Sequence, residues 1–151
     1  MLIGDVDGAA TTSQGASLSM PIGAGSLTIA SASDDLSGTN MTETGAAYTM
    51  PVGGGTISLG FTGTSGDTTT KEGEAFSAAY STTMGGVAIG VGYTGHDANS
   101  KTAQQTDITL SSALGGGVSI FAEYSNVSGT VATETASLSN NTVAIGTSVS
   151  F

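Results

Sequence analysis

The sequence predicts an all-β protein, an antiparallel up-and-down meander of about ten strands closed into a transmembrane β-barrel. Three observations support this prediction. Glycine turns recur about every thirty residues, at Gly23, Gly53, Gly85 and Gly115. The residues that flank each turn alternate between apolar and small side chains, which is the period of a β-strand. Only 9% of the 151 residues are charged, well below the ~25% of an ordinary soluble domain.

The composition also excludes several classes of protein. With 24 glycines and many Ser and Thr residues, long helices are disfavoured and strands are favoured. The chain has no cysteine, so it has neither disulfides nor thiolate metal sites. Twelve acidic residues against two lysines give a net charge of −10, which would repel the phosphates of a nucleic acid. We therefore expect no nucleic-acid partner.

The turns define two ends of the predicted barrel. The stretches "MPIGAGSLTIA" (Met20–Ala30) and "MPVGGGTISLG" (Met50–Gly60) have the same or a similar residue type at each position, and "TMGGVAIGVG" (Thr83–Gly92) and "ALGGGVSIFAEY" (Ala113–Tyr124) repeat the pattern more weakly. Longer polar stretches such as "SASDDLSGTNMTET" and "GHDANSKTAQQ" lie between them. Short glycine turns at one end and long loops at the other are typical of membrane barrels.

The strands follow from the alternation between these turns. Their lengths are about the 9 to 11 residues that a tilted strand needs to cross a bilayer. An even number of strands would place both termini at the glycine-turn end. The expected strands are residues 1–6, 14–22, 25–33, 43–52, 55–63, 74–84, 86–95, 104–113, 116–126 and 141–151.

The two faces of the predicted sheet differ in chemistry. We expect one face to carry apolar residues such as Leu18, Ile89 and Val143 and no charge. The other face, called here the small-residue face, carries mainly Gly, Ala, Ser and Thr, with Phe121 as its one large apolar residue. A soluble β-sandwich would instead present Lys, Glu and Arg to solvent. The predicted pore-lining residues are Asp107, Glu123, Ser17, Ser19, Thr28, Ser58, Ser77, Ser81, Thr109, Ser119, Ser148 and Ser150.

Aromatic residues are expected at one membrane interface. Phe61, Phe76, Tyr93 and Tyr124 lie where the apolar face meets the long loops. This is the position of an aromatic girdle in a membrane barrel.

The last strand, "NNTVAIGTSVSF", alternates apolar residues and stops at the aromatic Phe151. With the hairpin "TDITLSSALGGGVSIFAEYSN" and the opening "MLIGDVDGAA", it resembles the Gram-negative outer-membrane porins, in particular the C-terminal portion of the sixteen-stranded general-diffusion type. The resemblance implies an outer-membrane location, a homotrimer, and reading of Phe151 by the barrel-assembly machinery. Ten strands fall short of sixteen, which leaves open a fragment, a shortened relative, or one piece of a barrel built with other chains.

The predicted function is therefore a porin that passes small hydrophilic solutes through a water-filled lumen. We expect one β-barrel domain over residues 1–151, or the C-terminal part of a larger porin, in contact with outer-membrane lipid. The acidic excess predicts a preference for cations. The alternative is a secreted, self-associating β-structural protein whose small-residue face lets sheets stack in a filament or surface layer.

No enzymatic centre, cofactor or metal site is predicted. Asp5 and Asp7 in "GDVDG" have the spacing of a calcium-loop start but lack the bidentate glutamate. They fit an ordinary turn better. His96 is the sole histidine, and it is expected in an exposed loop.

Overall fold

A computed structural model of the chain describes residues 12–36, 39–66, 72–98, 101–130 and 137–150. Every element in this part of the chain is a β-strand. The strand predicted at residues 1–6 lies outside the described residues. The strands are β1 (Thr12–Ile22), β2 (Gly25–Leu36), β3 (Thr39–Val52), β4 (Gly55–Gly66), β5 (Gly73–Met84), β6 (Val87–Ala98), β7 (Lys101–Gly115), β8 (Val118–Thr130) and β9 (Ser137–Val149).

The nine strands form one antiparallel sheet in the order of the sequence, from β1 to β9. The predicted all-β meander is therefore confirmed. Within the described residues no second sheet covers either face, so they do not form a β-sandwich. Closure into a barrel is not seen in this part of the chain, because β1 and β9 do not pair and each leaves one edge of the sheet open.

Glycine makes the short turns possible. Gly53 and Gly54 have φ angles of 58° and 81°, and Gly85 and Gly86 have φ angles of 60° and 83°. Positive φ at both central residues is the requirement of a type I′ turn, whose twist matches that of the strands it joins. The β7–β8 connection uses three positive-φ glycines in a row, with a bulge just before them. The predicted glycine turns are thus confirmed.

At the opposite end the strands run further than predicted. β2 continues to Leu36 and β3 begins at Thr39, so most of the expected loop "SASDDLSGTNMTET" lies in strands. His96 lies in β6 opposite Ala103 of β7; its expected place in a loop is wrong. The hydrogen bonds between strands join backbone groups and do not depend on the side chains. Polar residues can therefore continue a hairpin beyond its apolar residues where both faces of the sheet contact solvent.

Tyr48 and Tyr80 pack against glycines of neighbouring strands at the glycine-turn end. Tyr48 donates a hydrogen bond from its hydroxyl to the carbonyl of Ile22, at 3.3 Å. A Cβ built on Gly25 would lie 2.7 Å from the same hydroxyl, and one on Gly55 would lie 2.6 Å from the hydroxyl of Tyr80. A side chain at either glycine would therefore clash with the tyrosine hydroxyl on the neighbouring strand, and with the backbone carbonyl of Thr49 or Ser81, which lies closer still.

The described residues enclose almost no core. Ala30, 8% exposed, is their only buried apolar side chain, whereas Val143 and Ile145 on β9 are 69% and 74% exposed. A soluble fold of this size would bury such side chains. A cover for the apolar face therefore has to come from outside the described sheet.

The turn geometry predicts the effect of a single methyl group. Gly54→Ala adds a Cβ where there is open space but where φ is +81°, so we expect a loss of about 1–2 kcal/mol from the left-handed backbone alone. The measurement is urea unfolding in detergent micelles. Gly92→Ala is the matched control, because its Cβ also meets nothing within 4 Å and its φ is not in the left-handed range. Equal stability of the two variants would contradict the role of the turn.

Candidate channel wall

Strand register keeps the two faces of the sheet distinct. Directly opposite pairs join apolar residue to apolar residue across successive ladders, for example Leu27 with Tyr48, Tyr48 with Leu59, and Ile89 with Leu110. Because side chains alternate between faces, a slip of one residue would move a strand's apolar set to the other side. The one register irregularity in the described ladders lies beside the β7–β8 turn.

Eleven of the twelve residues predicted to line a pore lie in strands, and the register places all eleven on the small-residue face. Some of them contact one another directly. The hydroxyl of Thr28 donates to Ser19 Oγ at 3.1 Å, and Ser19 Oγ lies 3.3 Å from Ser26 Oγ. Ser150 follows β9, and both its N–H and its hydroxyl donate to the carbonyl of Gly117, at 2.9 and 3.3 Å. Whether these residues line a pore stays a prediction.

The two predicted carboxylates lie on adjacent strands. Asp107 of β7 is opposite Ser125 of β8, and Glu123 of β8 is opposite Thr109 of β7. The amide of Gln105 donates to both oxygens of Asp107, at 2.9 and 3.0 Å. Sequence reasoning missed Gln105, although its position two residues before Asp107 in a strand places both side chains on one face. The contact holds the Asp107 carboxylate against its own strand.

Two further carboxylates share this face. Glu43 lies opposite Ala32, and Asp34 lies opposite Met41. The sequence placed Asp34 in a long loop, which is wrong, because the ladder between β2 and β3 continues past it. By alternation along β7, Lys101 lies on the same face at the loop end, and it is the only lysine or arginine in the part of the chain that the structure describes. Negative charge therefore dominates the small-residue face there. The apolar face is not free of charge as expected, because Glu74 of β5 and Asp97 of β6 lie opposite each other at its loop end.

The predicted aromatic residues lie at the loop end of the apolar face. Phe61 and Phe76 are directly opposite each other on β4 and β5. Tyr93 donates to Gln104 Oε1 at 3.2 Å and Tyr124 donates to Asn141 Oδ1 at 3.0 Å. Each tyrosine thus has an apolar ring and a polar contact, as residues at a membrane interface do. The sequence analysis missed a second aromatic row, Tyr48 and Tyr80, near the glycine turns.

The described residues offer no metal centre and no spanning helix. Among them no three His, Cys, Asp or Glu side chains come together in a way that could hold a metal ion. Asp5, Asp7 and Phe151 lie outside the described residues. In the same part of the chain there is no helix with the length and apolar character needed to cross a bilayer.

No protein-family model and no curated protein matches the sequence. Solved structures do match. An anion-selective porin from Comamonas acidovorans superposes with a TM-score of 0.69 at 14% identity, over 94% of this chain and 49% of that one. The in-vitro folded trimer form of OmpT from Vibrio cholerae superposes with a TM-score of 0.56 at 11% identity, over 87% of this chain and 52% of that one. The KdgM porin in complex with disordered oligogalacturonate superposes with a TM-score of 0.54 at 14% identity, over 95% of this chain and 80% of that one.

The chain therefore shares the fold of Gram-negative outer-membrane porins over most of its length. It spans about half the length of the Comamonas and Vibrio proteins. At these identities the likeness concerns the fold, so solutes, selectivity and partners have to be argued from this chain's own residues.

The face assignment predicts opposite responses to the same substitution at adjacent residues. Ile89→Arg places a cation on the apolar face and is expected to cost about 2–4 kcal/mol if that face lies at mid-membrane. Ala88 lies opposite Thr83 and Ser111 on the small-residue face, where Arg can stay hydrated. We expect only Ile89→Arg to prevent folding into lipid vesicles, measured by the shift in electrophoretic mobility between unheated and boiled samples. Equal tolerance of both changes would contradict membrane embedding, and the reverse order would exchange the two faces.

Proposed function

We propose that this chain forms part of the wall of an outer-membrane porin, which passes small hydrophilic solutes through a water-filled lumen. One observation supports it above all: a single porin-like sheet has one apolar face that no part of the described chain covers and one face of small polar residues. Lipid would cover the first face, and water and solutes would contact the second.

The height of the apolar face suits an outer membrane. On β5 the apolar residues run from Phe76 to Met84, a separation that corresponds to about 27 Å along a strand. At a tilt of about 40° this spans about 20 Å of membrane, close to the ~25 Å apolar band of such barrels. The bacterial outer membrane is also thinner than average. Aromatic side chains near both ends of the strands complete the pattern.

The open edges require further strands. Lipid cannot satisfy the unpaired N–H and C=O groups of an exposed edge strand, so the sheet has to close. β1 and β9 both run toward the glycine-turn end, because they are separated by an even number of antiparallel steps. Pairing them directly would make a parallel seam. An odd number of additional strands makes every pair antiparallel, so we propose that this single domain is one part of a larger barrel wall.

The charge of the proposed lumen favours cations. Asp34, Glu43, Asp107 and Glu123 share the small-residue face with Lys101. Fixed negative charge concentrates cations and repels anions over about 8 Å at physiological salt. One similar structure is an anion-selective porin, but this sequence has two lysines and no arginine with which to attract anions.

The proposed partners follow the family resemblance. We propose assembly as a homotrimer, since one OmpT structure is described as a trimer form. Phe151 would be the residue read by the barrel-assembly machinery during insertion. The apolar face that remains outside the trimer contact would meet outer-membrane lipid.

Partition tests the proposal against the alternative of a self-associating structural protein. We expect the chain to require detergent for dispersion and to enter lipid vesicles with a gain of sheet signal in circular dichroism. Recovery as an aqueous polymer with no need for detergent would overturn the porin proposal and favour the filament.

Ion selectivity is tested by reversal potentials in a potassium chloride gradient across a reconstituted bilayer. We expect a potential of the sign that marks cation preference, reduced toward zero by Asp107→Asn together with Glu123→Gln. The paired amide changes remove charge but keep shape. Anion selectivity would contradict the cation preference, and an unchanged potential in the double variant would place the effect outside these two residues.

A further inference from the structure

Phe121 is an unusual residue on the small-residue face. It is the only Phe, Tyr or Trp on that face among the described residues, and it is 38% exposed. Its cross-strand partners are Ser111 on β7 and Gly146 on β9. A large apolar ring on a wall of hydroxyl and methyl groups needs an explanation, because the alternation would place it in the proposed lumen.

Gly146 provides the space in which the ring lies. A Cβ built on Gly146 would lie 2.6 Å from Phe121 Cζ and 2.8 Å from Cε1. Real Cβ atoms do not approach so closely, so any side chain at position 146 would force the ring to move. The end of the ring therefore lies over the bare backbone of β9, and contact with that backbone limits the directions in which the ring can turn. A ring held in this way is preorganised, so little rotamer freedom is lost when a solute contacts it.

A carboxylate extends from the same face two residues further along the strand. Glu123 follows two residues later on β8, so it extends from the same face about 7 Å along the strand. The flanking positions on this face, Ser119 and Ser111, are small and leave the ring and the carboxylate accessible. Aromatic faces attract organic cations, and quaternary ammonium groups in particular. A nearby carboxylate adds charge attraction.

We propose that Phe121 is a solute-contacting, specificity-determining residue of the channel wall, and that it slows and selects small organic cations. The proposal rests on the proposed function, since it requires that the small-residue face lines an aqueous lumen. It goes further in naming the solute class and the residue that recognises it. Inorganic cations would respond to the carboxylates, whereas organic cations would respond to the ring as well.

The first test compares block of the potassium current by tetramethylammonium in reconstituted channels. Phe121→Leu keeps an apolar side chain but removes the aromatic face, so we expect about two- to fivefold weaker block, the range of an exposed cation–π contact. Phe121→Tyr keeps the ring and is expected to retain the block. Potassium-over-chloride selectivity is expected to stay the same in both variants, because neither changes a charge.

The second test concerns the contact between the Phe121 ring and the backbone of Gly146. Gly146→Ala is expected to push the Phe121 ring toward the lumen and lower the unitary potassium conductance. Gly92→Ala is the matched control, since it adds the same methyl group to the small-residue face where nothing lies within 4 Å. The double change Phe121→Leu with Gly146→Ala is expected to restore the conductance, because the flexible leucine adapts to the methyl group.

The outcomes separate this proposal from the proposed function. A cation-selective channel in which Phe121→Leu and wild type show equal block overturns the role of Phe121 and leaves the porin proposal standing. Equal conductance of Gly146→Ala and Gly92→Ala overturns the seating of the ring on Gly146. A preparation that conducts no ions overturns the proposed function, and this inference with it.

Discussion

Strand register is the constraint on which the rest of this structure depends. Across eight consecutive ladders the register keeps most of the large apolar residues on one face and most of the small residues on the other. One slipped ladder would interrupt both faces at once. The glycine turns fix this alignment, because a two-residue I′ turn such as Gly53–Gly54 dictates which residues of the next strand lie opposite those of the last. The spacing of the glycine turns in the sequence therefore determines which side chains share a face of the sheet.

Much of the fold could be predicted from local sequence for this reason. Positive-φ turns leave a clear signal, since glycine is the residue that adopts them without strain, and alternation is a signal of period two. Both signals need only a few neighbouring residues. The assignment of Asp107, Glu123 and Phe121 to one face follows from the same alternation and agrees with the observed register.

The features that could not be predicted from the sequence depend on contacts between residues of different strands. The ends of β2 and β6 were placed too early, because Asp34 and His96 carry no apolar signal although their backbones remain paired. The tyrosine of one strand and the glycine of the next, as in Tyr80 and Gly55, lie far apart in sequence. The edges of β1 and β9 are unpaired in the described sheet, and alternation within a strand carries no information about which strand pairs with an edge.

The order of the strands also has a kinetic consequence. Every strand pairs with its neighbours in sequence, so each ladder can form by zippering outward from a turn or loop. Sheets of this size usually fold slowly because distant segments must meet, whereas hairpins form in about 1–10 μs. In the described sheet the contacts between strands join mainly strands that are consecutive in sequence. The unpaired edges of β1 and β9 are therefore where an incompletely assembled sheet would be most exposed to strand addition and aggregation.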